Sequence, residues 1–476
     1  MMRTLFLFAL LASGFVLLLV VADRPFDPGR LQGWVRADAL SALLLCVLAG
    51  YGLSEVRQQQ HDAHAEDLMA RETEGRQRWP RLSQLGDQVG GVATRAEVHL
   101  LLPVILLSLA MLTGHLMLLS GLLVGAALLR GRHAYVQGTQ QNSAALGSLA
   151  VLLVASLAAA GGLILLGLQS GAWHYAAPMA GSGLNSLSFG LLLLAATIGS
   201  GGLDLVRGRV PQFDPLINVA CLYCLLRLFS LGPWNIGWLF ATMLVGGAIV
   251  LAAAWQGAVA PSNETAAWQG GYLSGLIITG AGLGSDAGII LATYSLLLMP
   301  IVHFSLSQPQ APHWSYWLLC AALPLSAPFI SAWLAVAAAL AGGMTLLAVS
   351  LWAAALLAAL PVARLARQGA QPTSLLHYQT IGLGVGVALG APLIIPNLLA
   401  PIAAQLQSGL TPFGSIELWP WAGLMALNAA RQPVATLPSL ALLALMLILA
   451  ALCWLGFWYN PNRTTGQSEG ADDQQG

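Results

Sequence analysis

The chain has 476 residues, of which 57% are apolar and only 8% are charged, and its formal net charge is zero. Soluble domains carry about 25% charged residues, so this composition excludes a protein that is surrounded by water on every side. The apolar residues occur in runs of roughly 17 to 25, the length that an α-helix needs to cross about 30 Å of hydrocarbon. The sequence therefore predicts an all-α, multi-pass membrane protein.

Fourteen membrane spans are predicted along the chain. The first is interpreted as a retained helix and not as a signal peptide, because Asp23-Arg24-Pro25 follows it in place of a small-residue cleavage site. The apolar stretch 98–130 is too long for one crossing and is expected to turn at Thr113-Gly114-His115. The predicted spans are 4–22, 37–54, 98–112, 115–130, 145–168, 184–203, 215–231, 235–258, 268–284, 287–304, 314–338, 343–363, 377–400 and 436–459.

These spans divide the chain into five parts: N-terminal helices over 1–54, a polar cytoplasmic loop over 55–97, a helical core over 98–400, an outer loop with an additional C-terminal helix over 401–459, and a tail over 460–476. The loop 55–97 is polar and rich in glutamine, and a solvated, partly helical segment is favoured over metal binding by its histidines. The tail is acidic and rich in glycine, so it is expected to be disordered.

The basic residues are all arginines, because the 19 basic residues include no lysine. Mechanisms that need a lysine amine are therefore excluded. The spacing Cys221-x-x-Cys224 lies inside an apolar segment with no further cysteine or histidine beside it. Packing is favoured there over metal binding or redox chemistry. No cofactor, metal or nucleic-acid partner is predicted, and the lipid bilayer is the expected surrounding.

The distribution of arginines predicts the orientation, because positive residues favour the cytoplasmic side of short loops. With the N-terminus in the cytoplasm and fourteen crossings, fourteen arginines fall on the cytoplasmic side and four fall outside. The sequence thus predicts a protein of the cell (inner) membrane with both termini in the cytoplasm. The four outer arginines are Arg24, Arg30, Arg36 and Arg431, and Arg227 lies within a span.

Four fragments, in order along the chain, resemble the antiporter-like membrane subunits of respiratory complex I and of Mrp-type cation/proton antiporters. The segment 322–333 reads ALPLSAPFISAW and is similar to the family pattern GLPPLSGFISKW. The segment 269–276 reads QGGYLSGL and is similar to a Q-x-G-Y-x-x-x-G-L pattern. The other two fragments are 215–227, which ends in Tyr-Cys-Leu-Leu-Arg, and Asp38-Ala39-Leu40-Ser41, which is like a D-x-L-S helix start.

The resemblance implies two inverted five-helix repeats, each with a broken helix, and protons that move along central Lys, Glu and His residues. Helix breaks are accordingly expected at Gly199 and Gly201, and at Pro324 and Pro328. The chain departs from the pattern where the charge should be: the family lysines fall on Ala332, near Val259 and around 195–205, and the family glutamate falls near Leu123. The resemblance thus implies a divergent, degenerate member.

Three residues remain as ion-path candidates, and each has a simpler explanation. His303 follows a helix-breaking residue, Pro300, but a histidine near the end of a span also reaches interfacial water. Arg227 lies near a helix end, where it would extend to the interface or pair with phosphate. Asp38 lies at a helix start, where capping explains a carboxylate.

The favoured function is that of a membrane subunit in a redox-driven, NADH-quinone oxidoreductase-type complex, scaffolding or only partly conducting, with other membrane subunits as partners. Such a subunit is not itself catalytic. The alternative is a stand-alone carrier for an apolar or lipid-like substrate. A membrane-embedded transferase is disfavoured, because its outer loops would carry a charged motif, and here they offer only scattered residues such as Asp27, His174 and Glu417.

Reporter fusions test the predicted topology. A reporter placed after residue 30 is expected outside the membrane, and one after residue 75 is expected in the cytoplasm, because this orientation puts fourteen arginines in the cytoplasm and four outside. Activity of a periplasm-specific and a cytoplasm-specific reporter at each site is the measurement. Finding both sites on the same side would contradict the arrangement.

Overall fold

The computed structural model describes thirteen stretches of the chain, and every structural statement below concerns them. They are 2–21, 34–74, 101–137, 142–174, 186–211, 214–228, 236–261, 264–306, 326–367, 375–406, 415–417, 425–428 and 433–435.

The described chain is almost entirely helical. Its α-helices are α1 Met2–Val21, α2 Ala39–Glu74, α3 Leu101–Leu112, α4 Leu116–Gln137, α5 Asn142–Ser170, α6 Ser186–Gly199, α7 Gly202–Val206, α8 Pro215–Arg227, α9 Ile236–Val259, α10 Thr265–Gly282, α11 Asp286–Leu306, α12 Ala327–Ala341, α13 Thr345–Arg367, α14 Leu375–Ile394 and α15 Ala400–Gln405. A π-helical turn, Ile395–Leu399, joins α14 to α15.

The prediction of a polytopic helical membrane protein is confirmed. Each of the first thirteen predicted spans overlaps a helix, and within the described stretches seven helices are long and apolar enough to cross a membrane. Four further apolar helices are shorter. The predicted span 436–459 and the tail 460–476 lie outside the described residues. Helix α2 continues to Glu74, so the first half of the polar segment 55–97 is helical.

Three short strands follow the last helix, where only irregular structure was expected. They are β1 Ser415–Glu417, β2 Met425–Asn428 and β3 Pro433–Ala435, and they pair in the order β1-β2-β3, antiparallel throughout. Open strand edges are not tolerated against lipid. This small sheet is therefore a part of the chain that sits outside the hydrocarbon.

The helices form a buried centre and a lipid-facing periphery. Every residue of α8 from Leu216 to Arg227 is buried, and α2 and α11 are mostly buried along their apolar lengths. In contrast, α1 exposes large apolar side chains such as Phe8 and Phe15. Since lipid covers exposed apolar surface in a membrane, α2, α8 and α11 are the helices that position any internal polar site.

A break separates α6 from α7, as predicted from the glycines at 199–202. Helix α6 ends at Gly199, and Gly201 has φ +72°, a left-handed conformation that favours glycine. A Cβ atom added at Gly201 would lie 2.7 Å from Pro211 Cβ, so the turn is also closely packed. Gly199 is thus the last residue of α6, and Gly201 lies in the turn before α7.

The second predicted break is only partly described. Ser326 is extended and its hydroxyl accepts a hydrogen bond from Phe329 N, so α12 begins at Ala327 and the predicted span 314–338 is not helical throughout. Pro328 lies in the first turn of α12, where proline is tolerated because no partner for its missing N–H is required. Pro324 lies outside the described residues.

Helix ends from distant parts of the chain meet in two groups. At one end, which we call the Asp38 end, Arg36 N donates to Leu112 O, and the Gln405 side chain contacts both Val21 O and Ala39 N. At the other, the Arg130 end, the side chain of Arg130 joins the end of α4 to residues of α2 and to the start of α8. The helices that link the two groups therefore run in alternating directions.

The two neighbouring glycines with positive φ in the α6–α8 connection allow a matched test of the break. Gly201→Ala is expected to lower the thermal unfolding midpoint in detergent more than Gly208→Ala. Both positions have a left-handed φ, which costs about 1–2 kcal/mol for a residue with a Cβ, but the new Cβ is crowded by Pro211 only at position 201. Equal shifts for the two variants would show that the turn is not packed as described.

Candidate functional site

Two clusters of charged side chains lie at opposite ends of α2 and α8. Asp38 precedes α2 and Arg227 ends α8, whereas Glu55 lies 17 residues further along α2 and Asp214 precedes α8. At 1.5 Å per residue, the clusters are about 20–25 Å apart along these helices. They are named below the Asp38 cluster and the Arg130 cluster.

The Asp38 cluster is centred on a fully buried ion pair. Asp38 and Arg227 are each only 1% exposed, and Arg227 Nη1 donates to Asp38 Oδ2. The other carboxylate oxygen, Oδ1, accepts from Ser41 N at 3.0 Å and so caps α2. Arg36 Nε lies 3.6 Å from Asp38 Oδ2 and adds a second positive charge. Burial of this pair is tolerated because both partners are hydrogen-bonded.

The remaining donors of Arg227 are also occupied. Its Nη2 donates to Ser41 Oγ at 3.0 Å, and its Nε donates to the Tyr223 hydroxyl at 3.0 Å. The Tyr223 hydroxyl in turn donates to Met111 O at 3.3 Å. The guanidinium therefore holds α8 to the start of α2 and, through Tyr223, to the end of α3.

The structure thus brings together two of the three ion-path candidates in a single contact. Capping by Asp38 is confirmed by its bond to Ser41 N. The expectation that Arg227 reaches the interface or pairs with lipid phosphate is wrong, because its side chain is buried against Asp38 instead. The two residues are 189 positions apart, so their pairing could not be read from local sequence.

The Arg130 cluster is a three-residue ion network that sequence reasoning missed. Arg130 donates in a bidentate manner to Glu55, from Nη2 to Oε1 at 2.6 Å and from Nη1 to Oε2 at 2.9 Å. Its Nε donates to Asp214 Oδ2 at 2.6 Å. The three side chains are 11–15% exposed, so the cluster touches water while most of its surface is covered. One guanidinium faces two carboxylates here.

Asp214 is the signal that could have revealed this cluster. Its Oδ1 accepts from Leu216 N and Ile217 N at 3.0 and 3.1 Å, and Pro215 takes the first helical position. An Asp-Pro pair before an apolar run is a recognisable helix start. Arg130 was instead expected among the cytoplasmic arginines, and Glu55 was expected in the loop 55–97.

His303, the third candidate, lies towards the Arg130 cluster and away from Arg227. Its ring centroid is 5.4 Å from that of Tyr51, which lies one turn before Glu55 on α2. Pro300 approaches Gly50 closely, since a Cβ added at Gly50 would lie 3.1 Å from Pro300 Cβ. Helix α11 runs from Asp286 to Leu306 without interruption, so the expected break at Pro300 is not present.

Apart from Asp38 and Arg227, the buried residues of the described stretches are all uncharged. Leu123 and Ala332, where the resemblance predicts a glutamate and a lysine, are both buried. Val259 is different, because it is 72% exposed at the end of α9 and does not line the interior. Cys221 and Cys224 are free and buried in α8, which agrees with their interpretation as packing residues.

Polar groups in this central region bond to one another without charge. Asn218 Nδ2 donates to Ser274 Oγ at 2.8 Å, which links α8 to α10. The hydroxyls of Ser295 and Ser331 lie 2.6 Å apart and link α11 to α12. These contacts satisfy buried polar atoms, as polar residues between membrane helices commonly do.

The Asp38–Arg227 pair is expected to dominate the stability of the helix junction. Arg227→Met and Asp38→Asn, made singly, should each destabilise by about 3–5 kcal/mol, because each leaves a buried charge without its partner. The double variant should recover much of this loss. Thermal unfolding in detergent of the single and double variants gives the coupling energy between the two side chains. The matched control Arg130→Met should lower the stability less, because the partners of Arg130 reach water. Additive losses in the double variant would show that the two side chains do not interact.

Comparison with known proteins finds a similar fold in chains of several solved membrane complexes. No protein-family model matches the chain, and no curated protein matches it. Solved structures do match over most of both chains. A chain of the Mrp complex from Dietzia sp. DQ12-45-1b has a TM-score of 0.64 at 15% identity and covers 85% of this chain and 92% of its own.

Two respiratory complexes contain similar chains. A chain of respiratory complex I from Thermus thermophilus with bound NADH has a TM-score of 0.61 at 16% identity, with 86% of this chain and 96% of that chain covered. A chain of the archaeal membrane-bound sulfane sulfur reductase has a TM-score of 0.62 at 13% identity, with 85% and 91% covered. The multi-pass helical fold is therefore confirmed, and this chain has the architecture of these membrane subunits, whereas the two inverted five-helix repeats stay a prediction.

Proposed function

We propose that this chain is a scaffolding subunit of a larger ion-translocating membrane complex and does not conduct ions by itself. The observation that carries the proposal is the placement of charge. The ionisable clusters lie at the two ends of α2 and α8, while Leu123 and Ala332, where the resemblance predicts ionisable residues, are apolar and buried.

The physical argument concerns the cost of charge in hydrocarbon. A proton that crosses the membrane interior needs a chain of ionisable groups or ordered water, since an isolated charge there costs several kcal/mol. This chain has no lysine anywhere to supply a buried base. About 20 Å of α8, filled by apolar, thiol, amide and phenol side chains, separates the two ends. Such a region supports packing better than conduction.

The similarity to chains taken from Mrp, complex I and sulfane sulfur reductase assemblies supports the partners in this proposal. The partners are other membrane subunits, and the membrane is the cell (inner) membrane, with both termini and the segment 55–97 in the cytoplasm. The alternative function is a stand-alone carrier for an apolar or lipid-like substrate, and purification distinguishes the two. A subunit co-purifies with specific membrane proteins in mild detergent, whereas a carrier is isolated alone and active.

The absence of conduction can be measured directly. The purified full chain in sealed liposomes is expected to pass protons and sodium no faster than bare lipid, because no charged relay bridges the two clusters. A pH-sensitive dye inside the liposomes reports proton flux, and an added protonophore shows that the vesicles are sealed.

Substitutions in the parent complex complete the test. His303→Ala should leave pumping largely intact, whereas a bulky residue at Gly201 or Gly271, where neighbouring side chains lie close, should reduce assembly of the complex. Robust proton flux through the isolated chain that His303→Ala abolishes would show that the chain conducts and that the proposal is wrong.

A further inference from the structure

Three short segments meet at the Asp38 end, beyond the ion pair. Residues 34–36, 113–115 and 173–174 lie side by side and are joined by backbone contacts. Gly114 N donates to Trp34 O at 3.1 Å, and Leu116 N donates to Trp173 O at 2.9 Å. The segments connect the start of α2, the α3–α4 turn and the end of α5. Apart from Arg36, which lies near Asp38, none of these residues belongs to either charged cluster.

Two histidines face each other across this junction. His115 and His174 form an antiparallel β-bridge, so they occupy directly opposite positions, where Cβ atoms are typically about 4.5–5.5 Å apart. Their ring centroids are 4.9 Å apart, and the rings are nearly perpendicular at 82°. The His115 ring is held in place by stacking on Trp34 at 4.6 Å, with Trp173 parallel to it at 6.2 Å.

The His115 ring also carries an unsatisfied atom. Its Nδ1 is buried and has no hydrogen-bond partner within the described part of the chain. A buried polar nitrogen without a partner typically costs about 1–3 kcal/mol. A ring that is stacked on Trp34 and lies 4.9 Å from a second histidine ring can recover this cost by binding a ligand at that nitrogen.

We propose that His115 and His174 bind a divalent transition metal ion of the copper, nickel or zinc type. A metal–nitrogen bond is about 2.0–2.1 Å long, which puts each imidazole centroid about 3.2 Å from the ion. Two such rings at a tetrahedral or near-tetrahedral angle have centroids about 5 Å apart. The observed separation of 4.9 Å agrees with this geometry without movement of the backbone.

The ligand set defines the class of ion. Imidazole nitrogens favour copper, nickel and zinc, whereas magnesium and calcium require oxygen ligands. Within the described residues no cluster contains a third histidine, cysteine or carboxylate, so water completes the coordination shell. The ion is therefore exchangeable, and it ties the α3–α4 turn to the end of α5. This inference is independent of whether the chain conducts protons.

Copper(II) itself is the best probe, because electron spin echo modulation counts the imidazoles bound to it. The protein for this test is the full chain, purified without a histidine tag. It carries His61→Ala and His64→Ala, because these two histidines are only three residues apart and could bind copper themselves. This background protein should bind one ion with two imidazoles. In that background, His115→Asn or His174→Asn should leave one imidazole and weaken binding by more than about tenfold, since loss of an outer-shell partner alone costs 10–100-fold.

Controls separate loss of ligands from loss of fold. His303→Ala, far from the junction, should keep both imidazoles. Thermal unfolding midpoints measured with EDTA should be similar for all variants. Nickel or zinc should raise the midpoint of the background protein, and magnesium should not. Neither nickel nor zinc should raise the midpoint of the two Asn variants. Two imidazoles retained in either Asn variant, or no bound copper in the background protein, would overturn the proposal.

Discussion

The burial of Arg227 is the constraint on which the centre of this molecule depends. A guanidinium cannot be deprotonated and cannot be left alone in an apolar interior, so its five donors must find acceptors. Its three nitrogens donate to Asp38 and Ser41 at the start of α2 and to Tyr223 on α8. Because these acceptors lie on α2 and α8, the contact that neutralises the charge also fixes how the two helices meet.

The second cluster completes this arrangement at the other end of the same helices. Helix α8 has only 13 residues and is about 20 Å long, too short to cross the hydrocarbon unaided. Its ends therefore lie within protein and need polar partners there. Asp214 satisfies the free N–H groups at the amino end, and Arg227 ends the helix with a positive charge, so both complement the helix dipole. Arg130 then ties this amino end to α2.

The sequence was sufficient for features that depend on local patterns. Apolar length predicted the positions of the helices, and consecutive glycines predicted the break at Gly201, because both follow from neighbouring residues. The pairing of Arg227 with Asp38, and of Arg130 with Glu55, depends instead on how distant helices pack, which hydropathy does not encode. Arg130 was assigned to the cytoplasmic surface because an arginine after an apolar run usually lies there. The strands over 415–435 were missed since they are only three or four residues long.

The region around Ala332 shows how two buried helices can be joined without a charged side chain. In the family that the sequence resembles, a lysine is expected there, and a buried lysine needs water or a counterion nearby. Here the neighbouring Ser331 bonds to Ser295 at 2.6 Å, so α11 and α12 are joined by hydroxyls that satisfy each other. A closed hydroxyl pair needs neither water nor a counterion. The contact between α11 and α12 therefore needs no charged group. The similarity to solved structures at 13–16% identity concerns the fold, and a shared fold does not itself imply conduction.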